Sequence, residues 1–145
     1  MSQGLEFHNE QCAKIKNAAL KRPAFITGSV RYGVVTEDSD IDLIVQIASK
    51  RDLLNLVLAA DVNLPGSAFD HANKQISLRF GKLNLVAVLG DDYYDAWLES
   101  TKQSLKLLER MREQAAPNEY IGGLKKEDYV PIFQDIFTRR GLEPR

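Results

Sequence analysis

The stretch Ala24-Phe25-Ile26-Thr27-Gly28-Ser29-Val30-Arg31-Tyr32-Gly33, followed by Asp38-Ser39-Asp40-Ile41-Asp42-Leu43, decides the reading of this chain. A short apolar run closes on a Gly-Ser turn. A pair of aspartates then opens a second apolar run that reaches Ile47. On a strand, side chains i and i+2 point to the same face, so Asp40 and Asp42 converge. Two carboxylates held that close repel each other unless a cation sits between them. Glycine at position 28 lets the backbone approach a ligand closely. The amides that open a helical turn favour anions.

A hard dication that shares oxygen ligands with phosphates fits such a pair, which points to Mg²⁺. The pattern resembles the signature of the nucleotidyltransferases of the DNA polymerase β superfamily. In that signature an apolar strand ends in Gly-Gly or Gly-Ser, and Asp-x-Asp opens a second apolar strand roughly ten residues later. Residues 24–27, Gly28-Ser29 and Asp40-Ile41-Asp42 match it in order and spacing, within a similarity that runs over residues 20–90.

The resemblance implies a role for each matching residue. Asp40 and Asp42 become the catalytic metal ligands, Gly28 and Ser29 the nucleotide-binding cradle for a triphosphate, and Arg31 a partner for its outer phosphates. The family also uses a third carboxylate on a later strand. Here that strand is Leu83-Asn84-Leu85-Val86-Ala87-Val88, and Asn84 stands at the corresponding place in the catalytic set. An amide coordinates through its carbonyl oxygen, but it carries no charge and cannot take a proton as a carboxylate does.

Two functions follow from the resemblance and remain open at this point. One is a Mg²⁺-dependent transfer of a nucleoside monophosphate from an NTP to a hydroxyl on a protein, an RNA end or a small molecule. The other is a catalytically impaired member that binds nucleotides or a protein partner. The chain resembles compact prokaryotic and phage members, some of which act beside a partner protein. Asp70, His71, Asp91 and Asp92 are further candidates for a substitute base, with histidine titrating nearest neutrality.

The rest of the sequence frames this site. With 145 residues and a net charge of −1, the expectation is one domain with no global positive field toward nucleic acid. The lone cysteine, Cys12, offers no disulfide framework and suits a reducing cytoplasm. No apolar run approaches membrane-spanning length, so no membrane association is expected.

Periodicity predicts helices over 5–21, 50–60, 93–115 and 129–137, and strands over 24–27, 40–47, 75–80 and 82–89. Gly33 is expected to supply a positive φ after a brief turn over 29–33. Leu53, Leu54, Val57 and Leu58 form the apolar positions of the second helix. The basic side of the long helix reads as a solvated face or as a contact for the acceptor or a nucleotide phosphate, and Lys125-Lys126 add positive charge near the C-terminus. Together these elements predict an α/β (α+β) fold: a small mixed sheet of about four strands packed with helices.

Overall fold

The structure is a computed structural model that describes residues 13–58 and 74–142. It contains helix α1 over residues 13–19, strand β1 (Ala24–Thr27), strand β2 (Ile41–Ile47) and helix α2 (Lys50–Leu58). Strands β3 (Gln75–Phe80) and β4 (Leu83–Leu89) follow, then helices α3 (Asp91–Gln114) and α4 (Lys126–Arg139). The predicted α+β architecture is the observed one. Cys12 and His8, the start of the first predicted helix, the end of the second and the loop holding Asp70 and His71 lie outside the described residues.

The four strands form one mixed sheet in the order β1-β2-β4-β3. β2 and β4 run parallel at its centre, and β1 and β3 pair antiparallel at its edges. A tight hairpin joins β3 to β4, with Phe80 opposite Leu83 and Gly81 at φ 61°. Alternation divides the central strands between two faces. Leu43, Val45, Ile47, Leu83, Leu85 and Ala87 pack with Ile15 of α1 and with Leu53, Leu56 and Val57 of α2. Ile44, Val86 and Val88 point the other way, toward Tyr93, Tyr94 and Trp97 of α3. A central strand buried on both faces reads as the near-continuous apolar run seen in the sequence.

Helix ends account for most differences from the sequence expectation. Ser49 caps α2 as its side chain accepts from the Asp52 amide at 3.1 Å. The buried stripe of α2 is Leu53, Leu56 and Val57, whereas Leu54 and Leu58 are exposed. The stripe turns toward the sheet one position away from the predicted one.

β2 begins at Ile41, one residue after Asp40, and α3 begins at Asp91 with Gly90 at φ 78° before it. Two acids thus occupy the first turn of α3, where they offset the helix dipole. Ser100 and Ser104 are buried on α3 because each hydroxyl donates back to the carbonyl four residues earlier, at 2.7 and 2.8 Å. α4 starts three residues earlier than predicted, since Asp128 accepts from the Lys125 amide at 2.9 Å and so satisfies its first turn.

Arg22, between α1 and β1, ties both to α2. Its Nε and Nη2 donate to the Asp52 carboxylate at 2.6–3.0 Å, and its Nη1 donates to the Ala18 carbonyl at 2.8 Å. The hydrogen bonds from Arg22 hold the Asp52 carboxyl below the usual carboxylate range.

Candidate functional site

The site forms where β1 and β2 meet, at the end of the sheet from which β2 and β4 set out. Thr27 ends β1 opposite Asp42, and Asp42 lies beside Asn84 in the parallel register of β2 and β4. Asn84 in turn lies opposite Arg79 of β3. One row of side chains, Thr27-Asp42-Asn84-Arg79, therefore crosses all four strands on a single face. The Asn84 Nδ2 donates to Asp42 Oδ1 at 3.1 Å. Asp40 precedes β2 by one residue, and its Oδ1 pairs with Arg79 Nη1 at 3.1 Å.

The Gly-Ser turn packs directly on this row. Gly28 has φ 81°, in the left-handed region that favours glycine. A Cβ placed on it would overlap Asp42 Oδ2. Glycine is thus required here by the carboxylate as well as by the backbone. The carbonyl of Gly28 accepts from the amides of Arg31 and Tyr32 at 3.0 and 3.1 Å, and that of Ser29 accepts from Gly33 at 3.1 Å. These bonds form the brief helical turn read from the sequence, with Ser29 and Val30 opening it.

Gly33 does not supply the expected positive φ. Its lack of a side chain serves close packing instead, since a Cβ there would lie 2.5 Å from the Ser29 Cα. Gly123 presses on the same point, where its own Cβ would overlap the Gly33 carbonyl group. The Leu124 amide then donates to the Tyr32 carbonyl at 2.7 Å, forming a parallel bridge between Gly33 and Leu124. This contact delivers the start of α4, with Lys125 and Lys126, to the Gly-Ser turn.

A buried hydroxyl network fixes the turn from behind. Thr27 Oγ1 lies 2.6 Å from Thr101 Oγ1 and 3.1 Å from the Tyr32 hydroxyl, and Thr101 Oγ1 donates to the Trp97 carbonyl at 2.8 Å. Tyr32 meets Tyr129 edge to face at 5.0 Å. These groups hold Asp42's neighbours in place from behind the turn.

Two hollows share Asp42 and Tyr129 as walls. The polar one, of about 500 Å³, is lined by Ser29, Thr36 and Ser39, by Asp38, Asp40 and Asp42, and by Lys125 and Lys126. Three acids and the two lysines at the start of α4 thus line the same hollow. The second, of about 300 Å³, lies between the sheet and the C-terminal helices and is lined chiefly by Ile44, Val86, Trp97, Tyr129 and Phe133, with Asn84 at its floor. Its aromatic walls suit a flat group. Burial, the nearby Tyr32 and the Asp42 charge all raise the Tyr129 phenol above its ordinary range.

The structure thus brings together Gly28, Ser29, Asp40, Asp42 and Asn84 from the sequence-derived set. Arg31 is exposed, and its Nη1 donates to the Ile26 carbonyl at 3.0 Å, away from the residues that line the polar hollow. The cations that do line it are Lys125 and Lys126, which the sequence presented only as positive charge near the C-terminus. Asp91 accepts from Gln46 Nε2 at 2.8 Å at the opposite end of the strands, so it does not join the site. Glu37 offers its backbone carbonyl to Lys82 Nζ, which ties the loop before Asp40 to the hairpin.

Among the described residues, no group of three or more His, Cys, Asp or Glu side chains is placed to hold a metal ion. The donor set is two carboxylates and an amide. Asp40 and Asp42 still present the hard oxygens that a Mg²⁺ ion takes when phosphate and water complete its shell. No helix among the described residues is long and apolar enough to cross a membrane. A family model described as a nucleotidyltransferase domain matches residues 10–114. No curated protein and no solved structure matches the chain.

Proposed function

Because the chain belongs to the nucleotidyltransferase domain family, we propose that it transfers a nucleoside monophosphate from a Mg²⁺-bound NTP to a hydroxyl acceptor, with Asp42 at the centre of the site. The observation that carries this reading is the mixed charge of the polar hollow, in which Asp38, Asp40 and Asp42 share the lining with Ser29 of the turn and with Lys125 and Lys126. A metal–triphosphate has the complementary character: a dication for the acids and phosphate oxygens for the amides and ammonium groups.

Each residue has a distinct part in this reading. Asp40 and Asp42 would hold the dication, which when bound supplies charge neutralisation at the α-phosphate. The opening of the Gly28-Ser29 turn would receive phosphate oxygens through its amides and the Ser29 hydroxyl. Lys125 and Lys126 would pair with the outer phosphates, a task first expected of Arg31. The aromatic hollow beside Asn84 would seat a flat group of one reactant.

A second reading is favoured by one specific observation. Asn84, a neutral amide, stands beside Asp42 and donates to it, and an amide offers no base to an attacking hydroxyl. On that reading the protein binds nucleotide without transferring it, and works through a protein partner. Incubation of the full chain with Mg²⁺, α-phosphate-labelled NTPs and a cell lysate tests the choice. The transfer reading predicts a labelled product that disappears with Asp42→Asn. NTP binding without any labelled product, across all four nucleotides, supports the second reading instead.

A further inference from the structure

The row Asp42-Asn84-Arg79 holds a charge arrangement that the two-carboxylate pattern does not contain. Arg79 lies opposite Asn84 on the edge strand β3, and its guanidinium crosses β4 to reach Asp40 at 3.1 Å. A cation therefore contacts one of the two acids in the strand row where a third acid is replaced by a neutral amide. We propose that Arg79 is the second cation of this site: it neutralises Asp40 in place of a second metal ion, so the nucleotide complex holds one divalent ion per chain. This rests on the reading of the site as a Mg²⁺–NTP centre.

The charge balance supports the assignment. Three carboxylates clustered together need strong cationic compensation, and two dications supply it. Two carboxylates with an adjacent guanidinium need less. Asn84 keeps the neutral side of the arrangement, because its amide donates to Asp42 as a cationic neighbour would, without adding charge. Arginine stays charged at any working pH and presents a planar fork that suits carboxylate and phosphate oxygens alike. The side chains of Arg79 and Asp40 are 59% and 38% exposed, so their pair is weak, and Arg79 stays beside Asp40 Oδ1 without keeping the carboxylate from the one dication. The pairing of Asn84 with Arg79 across β4 and β3 is then one device: the same row that carries a neutral amide carries a cation beside it.

Manganese serves as a countable probe for this arrangement. Electron paramagnetic resonance of free Mn²⁺, titrated into the full chain with a non-hydrolysable NTP analogue, is expected to show one bound ion per nucleotide-loaded chain. The double variant Arg79→Gln/Asn84→Asp is expected to hold two. Without nucleotide, Arg79→Gln alone is expected to bind Mn²⁺ about two- to fivefold more tightly, the release expected from an exposed ion pair. Circular dichroism of each variant establishes that the fold persists. Two ions in the unaltered complex, or an unchanged or weakened affinity in Arg79→Gln, would overturn the role of Arg79 while leaving the nucleotide site intact. Retention of neither nucleotide nor Mn²⁺ by the unaltered chain removes the site reading and this inference with it.

Discussion

Asn84 donates from its amide to Asp42 Oδ1 at 3.1 Å, across neighbouring parallel strands. The bond orients the carboxylate from one side, while Gly28 leaves room for Oδ2 on the other. Asp42 is therefore positioned by the fold before any ligand arrives. It is the amide nitrogen of Asn84, not its carbonyl oxygen, that faces Asp42 Oδ1.

Replacing Asn84 by Asp exchanges that hydrogen bond for a like-charge contact. Asn84→Asp is expected to destabilise the ligand-free protein by about 1–3 kcal/mol at neutral pH, the scale of a lost hydrogen bond to a charged group. Mg²⁺ should restore much of the loss by bridging the two acids. Thermal unfolding with and without Mg²⁺ measures both effects. A variant as stable as the parent in chelator would show that the two side chains do not face each other.

Gly28 and Gly141 separate backbone conformation from crowding. Both have positive φ, 81° and 71°, but a Cβ on Gly141 meets nothing within 4 Å, whereas one on Gly28 overlaps Asp42. Gly141→Ala is expected to cost about 1 kcal/mol for its conformation alone. Gly28→Ala should cost more, in the range of about 2–4 kcal/mol, because Asp42 must also move. Denaturant unfolding compares the two, and equal losses would contradict the close packing of Asp42 on the turn.

Much of this site was legible in the sequence because its parts are local. The apolar runs around Gly28-Ser29 and Asp40-Asp42 encode two strands, and period two places both acids on one face. Asn84 was visible as the one polar residue near the start of a short apolar run, and the pairing of β2 with β4 sets it beside Asp42. Lys125 and Lys126 were not legible as site residues. Their position depends on Gly123 packing against Gly33 and on Leu124 bonding to Tyr32, contacts between segments some 90 residues apart. Gly33 is required for a steric reason rather than for a positive φ, since a Cβ there would crowd the Ser29 Cα, and a sequence does not distinguish the two demands. Arg79 carried no signal of its own, because its relation to Asn84 and Asp40 exists only once β3 and β4 pair.

Acid stability should report on Arg22 and Asp52. The Asp52 carboxyl is held low in the folded protein by hydrogen bonds from Arg22. Such a group stabilises the fold above its unfolded pKa, near 4, and the contribution fades as pH falls through the lower folded value. Arg22→Met is therefore expected to lose about 1–2 kcal/mol at pH 7. The deficit should shrink progressively below about pH 4 as the parent loses the same contribution. Urea unfolding at pH 7 and pH 3 checks the sign, and a deficit that grows on acidification would contradict it.

The most direct test of the central claim is calorimetric titration of the full chain with NTP in Mg²⁺ and in chelator, repeated for Asp42→Asn. The site described here predicts Mg²⁺-dependent binding that weakens at least about tenfold in the variant, a loss of roughly 1.4 kcal/mol or more, while circular dichroism shows an unchanged fold. Equal affinity for Mg²⁺–NTP in both proteins would contradict the assignment of Asp42 as the centre of the nucleotide site.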